Sequence, residues 1–185
     1  FSIKSASAAS ISSEMFRMHP SHSAFRRGIL VFAIGNESRG DDGLGPIIKR
    51  HLEEKLVDLA NIDFLEDFQF QVEHIYDLMD RDIVLLIDAH LKLSRSCRLE
   101  QVMPIRDLSL TTHALNPGGL LWLYESVVGK TPPPTFLLSV RGREFELGSG
   151  LSATGLRNFS EAASWGERLL REPNESFWKR AIESG

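Results

Sequence analysis

The chain has 185 residues, 42% of them hydrophobic and 25% charged, with a formal net charge of −4 and one cysteine. Those proportions suit one folded domain and exclude a disordered or fibrous chain. The longest apolar runs, Gly28 to Ile34 and Ile83 to Ile87, fall far short of the ~20 residues that cross a bilayer, so no transmembrane helix is expected. The acidic balance argues against nucleic-acid binding, and Cys97 alone can build neither an intrachain disulfide nor a Cys-based zinc site. Such cysteine usage suits a reducing cytoplasmic setting.

Charge is unevenly placed. Residues 1–27 carry Lys4, Arg17, Arg26 and Arg27 against Glu14 alone, a sum of +3, which leaves −7 for the rest. This segment has eight serines and no sustained apolar period, and is expected to be a flexible N-terminal extension with Met15 or Met18 as natural starts. Residues 28–171 read as one α/β domain, and 172–185 as a C-terminal extension.

From Gly28 onward, strand and helix patterns alternate. Gly28 to Ile34 is a continuous apolar run, as a buried parallel strand requires. Leu44, Ile47, Ile48, Leu52, Leu56 and Leu59 follow helical spacing, with Pro46 tolerable in a first turn. Ile62 to Glu66 predicts a short second strand. Val72, Ile75, Tyr76 and Met79 predict one face of a second helix. Asp82 to Ala89 is the most apolar strand and the expected centre of the sheet; residues 98–103 alternate poorly. A helix is expected over Asn116 to Val128, then a strand over Phe136 to Val140. Leu156, Phe159, Ala163 and Leu170 mark a last core helix that Pro173 ends, and Ser176 to Glu183 predicts a short terminal one. The order implies right-handed crossovers and a mainly parallel twisted sheet with helices on both faces, a three-layer α/β/α sandwich. Sites in such sheets lie beyond the carboxyl ends of the strands.

The first strand runs into Gly35-Asn36-Glu37-Ser38-Arg39-Gly40-Asp41-Asp42-Gly43-Leu44-Gly45. A glycine-rich turn of this kind often holds phosphate, but here two acids stand where a phosphate loop needs Lys-Ser/Thr. Taken by itself the segment could need Asp42 simply as a helix N-cap; of the pair, Asp41 is expected to form or cap the turn and Asp42 to face outward. Asp88 ends the third strand, where a carboxylate is costly unless paired, hydrogen-bonded or metal-bound. His113 precedes a helix. All three fall on one rim of the expected sheet, and two carboxylates with an imidazole suit nickel or zinc with an open position left over. Cys97 lies among cations that would lower a thiol pKa, but no histidine accompanies it. Glu73-His74, at the start of the second expected helix, could reach the same rim, but reads first as a solvated helix end.

The ordered set Gly35-Asn36-x-x-Arg39-Gly40-Asp41-Asp42-Gly43-x-Gly45, Ile87-Asp88-Ala89 and Thr112-His113 resembles the [NiFe]-hydrogenase maturation endopeptidases, across residues 28–171. Phe68 to His74 and Arg143 to Gly148 resemble the branch that serves NAD-reducing soluble hydrogenases. The resemblance implies a hydrolase, an aspartic-type-like endopeptidase that activates its client by removing the C-terminal extension of a hydrogenase large-subunit precursor. It implies that Asp42, Asp88 and His113 contact nickel carried by that precursor, for which zinc or cadmium could substitute. It also implies that Asp42 or Glu66 acts as the base, and that the protein works as a cytoplasmic monomer without nucleic acid or membrane. Ser38 and Asp67-Phe68-Gln69 depart from the commoner Leu and Gly-Gly-Thr of that pattern. The competing expectation is a nickel-checking chaperone or binding protein without peptidase activity.

Overall fold

Six apolar residues, Ile29–Ile34, form the first strand, β1, buried along its whole length. The structure, a computed structural model, describes residues 28–106 and 115–184; the expected extension 1–27 and the Thr112-His113 motif lie outside them. The chain continues through a 3₁₀ turn at Gly40–Gly43, helix α1 (Leu44–Lys55), strand β2 (Ile62–Asp67), a 3₁₀ turn at Val72–Ile75, and strands β3 (Ile83–His90) and β4 (Cys97–Val102). Helix α2 (Pro117–Val128), strand β5 (Thr135–Arg141) and helices α3 (Ala153–Arg171) and α4 (Glu175–Ser184) complete it.

The sheet order is β2-β1-β3-β5-β4, with β3 at the centre as expected. β4 alone runs antiparallel, against β5. Alternate side chains feed two separate cores. Val31, Leu85 and Leu138 pack under α1, α3 and α4, whereas Leu30, Phe32, Val84 and Leu86 pack under α2 and the 72–80 segment. The result is the expected α/β/α sandwich.

Two local expectations fail. Residues 72–79 form no α-helix but a 3₁₀ turn followed by further turns; Ile75 and Leu78 are buried, while Val72 is 49% exposed. Spacings of three satisfy a 3₁₀ turn as well as an α-helix. Leu156 is 58% exposed rather than in the core. The buried stripe of α3 starts instead from Gly155, Asn158 and Ala162, small residues that let the helix approach closely; a methyl at Gly166 would stand 2.8 Å from the Leu52 side chain. Helix α4 belongs to the same core. Its Trp178 is fully buried, edge-on to Phe136, and donates from Nε1 to the carbonyls of Leu169 and Glu172.

Candidate active site

β1 leads by way of α1 to β2 on one side, and β3 leads on toward β5 and β4 on the other, so the strand order reverses between β1 and β3. Ligand crevices in open α/β sheets form at such a switch point. Here the chain makes room for one. A Cβ on Gly45 would stand 2.3 Å from the Ile34 carbonyl and 2.9 Å from that of Ile87, and one on Gly35 would stand 1.9 Å from the Asp42 carbonyl. Only glycine lets the acidic turn press against the ends of both strands.

The two acids of that turn divide as expected. Asp41 is fully buried and is an anchor. Its carboxylate accepts the backbone N–H groups of Arg143, Glu144 and Ser152 and the Ser152 hydroxyl, at 2.6–3.1 Å. Burial alone would raise its pKa, but these donors outweigh it and hold the carboxyl below its usual range. Ser152 also caps α3 by accepting the Gly155 N–H. One buried hydroxyl thus joins the turn after β1 to the helix after β5. Sequence reading missed Ser152; its signal was a serine just before a helical run.

Asp42 is partly exposed, with Oδ2 accepting the Asn36 N–H at 3.0 Å. Burial raises its pKa against the opposing effects of that amide and of Arg39. Burial likewise pushes Asp88 up to about 6; the Ala89 N–H works against the rise, and the Asp42 charge adds to it. The turn after β1 and the end of β3 therefore bring two carboxylates into each other's field. That is the arrangement expected where a cation or a shared proton belongs. His113 lies outside the described residues, but Leu115, two positions on, forms an antiparallel bridge with Phe70 in the loop after β2.

Glu66 and Asp67 end β2 on opposite faces. Glu66 follows Ile62 and Phe64 toward α1 and pairs with Lys49 at 3.1 Å. Asp67 lies on the face of Leu65, which is also the face of Leu86 and Asp88, and it registers with Ile34. Its Oδ1 accepts the Phe68 N–H and its Oδ2 accepts Gln71 Nε2, with His74 Nε2 at 3.3 Å. His74 is no solvated helix end. It is buried edge-on to Phe32, its Nδ1 accepts the Gln71 N–H, and its Nε2 faces Asp67. Cys97 is buried beside Glu161; burial first, then that carboxylate, pushes its thiol up to about 12 and removes it as a nucleophile.

Comparison with solved structures finds the same fold in hydrogenase maturation proteases. The [NiFe] hydrogenase maturation protease HycI from Thermococcus kodakarensis KOD1 superposes with a TM-score of 0.61 at 19% identity, over 81% of this chain and 96% of that one. The hydrogenase maturating endopeptidase HybD from E. coli gives 0.63 at 21%, over 80% and 94%. The fold is that of the hydrogenase maturation proteases. No family model and no curated protein matches the chain in sequence. Among the described residues, no three His, Cys, Asp or Glu side chains converge as a metal-binding group, and no helix is long and apolar enough to cross a membrane.

Proposed function

We propose that the protein is an endopeptidase that removes the C-terminal extension from the large-subunit precursor of a [NiFe] hydrogenase, as a cytoplasmic monomer. The observation that carries this reading is the Asp42–Asp88 pair at the β1–β3 switch point, on a fold shared with proteases of that name. His113 supplies the third donor. Two carboxylates and an imidazole accept nickel arriving in the precursor, and zinc or cadmium would satisfy the same donors.

The chain's own residues then have distinct tasks. Asp88, its pKa raised by burial to about 6, meets the cation as a carboxylate above that pH and must give up a proton to it below. Asp42, fixed through one oxygen by the Asn36 amide, takes the proton of the attacking water and passes it to the leaving amine. Substrate nickel polarises the scissile carbonyl. Glu66, the other candidate base, stands on the α1 side of the sheet, where it pairs with Lys49.

The test incubates the purified protein with nickel-loaded and metal-free precursor and follows the precursor mass. A loss from the carboxy terminus with nickel alone is expected. An intact precursor that stays bound would make the protein a metal-checking binder instead, and cleavage indifferent to metal would overturn the nickel dependence.

A further inference from the structure

Ile34 stands between two acids. It registers with Asp67 on β2, and because Ala33 registers with Ile87, the next position of β3, Asp88, falls in the same row. Side chains in one row of a parallel sheet share a face. Asp67 and Asp88 therefore flank Ile34 on one side of the sheet, two strand spacings or about 10 Å apart. Successive amides of the turn after β1 serve both acidic neighbours: the Gly35 N–H donates to the Asp67 carbonyl and the Asn36 N–H to the Asp42 carboxylate. Asp67 thus belongs to the rim of the Asp42–Asp88 crevice, yet nothing in the chemistry above uses it.

The Asp67 carboxylate is held from behind. Oδ1 accepts the Phe68 N–H at 2.6 Å and Oδ2 accepts Gln71 Nε2 at 2.9 Å, with His74 Nε2 3.3 Å away. His74 is itself fixed: Phe32 stands edge-on with its ring centre 4.7 Å away, and Nδ1 accepts the Gln71 N–H at 2.9 Å. The His74 side chain is 11% exposed and that of Asp67 26%, so the imidazole is enclosed while the carboxylate still meets solvent. A carboxylate offers about four acceptor positions, and the groups of Phe68, Gln71 and His74 leave room for one more donor.

The structure assigns Asp67 to the precursor itself, as the acceptor for one of its main-chain N–H groups, and His74 as the positioning residue that aims it. This inference rests on the function proposed above. The distance from Asp88 spans about three residues of extended chain, which sets the contact that far from the scissile bond. Every residue but proline carries a main-chain N–H, so the contact asks for no particular side chain or charge in the precursor. In the competing role, Asp67, Gln71 and His74 only brace the loop after β2 in its 3₁₀ turn.

Two substitutions of His74 separate these roles, because an amide can copy either ring nitrogen. The Asn oxygen lies as many bonds from Cα as Nδ1 does, and the Gln nitrogen as many as Nε2. His74→Asn keeps the acceptor for the Gln71 N–H and removes the partner of Asp67, whereas His74→Gln does the reverse. With nickel-loaded precursor, Asp67→Asn and His74→Asn should each raise KM about tenfold, the size of one hydrogen bond to a charged group. The loss belongs in KM because a contact remote from the reacting atoms binds ground state and transition state alike. His74→Gln should bring KM back toward the wild-type value while lowering Tm more than His74→Asn does. If KM instead follows Tm, with His74→Gln the worse in both, or if neither Asn variant alters KM, the precursor contact falls and the peptidase reading stands. If wild type binds the precursor without cleaving it, the peptidase reading falls; a Kd about tenfold weaker for His74→Asn but not for His74→Gln then keeps the contact. A wild type that neither binds nor cleaves refutes both.

Discussion

At the scale of single residues, the two acids that matter most have opposite relations to pH. Asp88 has its folded pKa raised to about 6 against about 3.9 in an unfolded chain. The folded state therefore binds the extra proton, and the associated stability is complete below about pH 4 and lost as pH rises through 6. Asp88→Asn is neutral throughout, so relative to wild type it should gain stability from pH 4 to pH 8, by about 2 kcal/mol. The same variant should lose nickel-dependent cleavage, since an amide lacks the charge a divalent cation needs. Urea titrations at the two pH values check the first half; a difference that stays flat would remove Asp88 from the strained pair. Asp41 behaves inversely. Its pKa is depressed, so its contribution is present above the unfolded value and fades as pH falls through the folded one. Asp41→Asn turns an amide N–H₂ toward groups that already donate, and should cost on the order of 3 kcal/mol at pH 7. That deficit should shrink below pH 4, and urea unfolding at pH 7 and pH 3.5 would show it.

At the scale of elements, the end of β2 carries the next prediction. Strand alternation puts Glu66 and Asp67 on opposite faces, and the face of Asp88 belongs to Asp67. Glu66→Gln should therefore retain precursor cleavage and lose about 1 kcal/mol with its Lys49 ion pair, whose Glu66 end is half-exposed, whereas Asp42→Asn should lose cleavage. A Glu66→Gln protein that folds normally but no longer cleaves would move the base to Glu66. Single-sequence reading reached part of this. β1 and β3 were legible because strands buried on both faces read as unbroken apolar runs; α2 was legible in its bounds, while its cap, Asn116 accepting the Gly119 N–H, emerges from the structure. The 72–79 segment was not, because its short apolar spacing fits two helical periods, and pairing of Phe70 with Leu115 holds the chain beside it. Asp42 and Asp88 were legible as acids at strand ends. That Asp67, not Glu66, shares their face follows only from the register of β2 on β1, which no local pattern encodes.

The whole molecule depends on a helix beyond the point where the sequence motifs end. Residues 172–185 contain no candidate site residue, yet Trp178 and Ala181 are buried within the core under β3 and β5. Trp178 also donates to two carbonyls, those of Leu169 and Glu172, where α3 ends and the chain turns into α4. Trp178→Ala would leave a cavity against Phe136 and strand those hydrogen bonds, at a cost of about 3–5 kcal/mol. A typical domain has only about 5–15 kcal/mol in total. Truncation after Arg171 removes the helix altogether and exposes Phe136 and Leu170, so the shortened protein should lose cooperative thermal unfolding and bind ANS, with cleavage lost alongside. Trp178→Phe keeps most of the apolar volume and should keep cleavage with a lowered Tm. The distinction is between scaffold and site. Calorimetry and cleavage on the three proteins make it, and a truncated protein that melts cooperatively near the wild-type temperature would show that α4 only rests on a core complete without it.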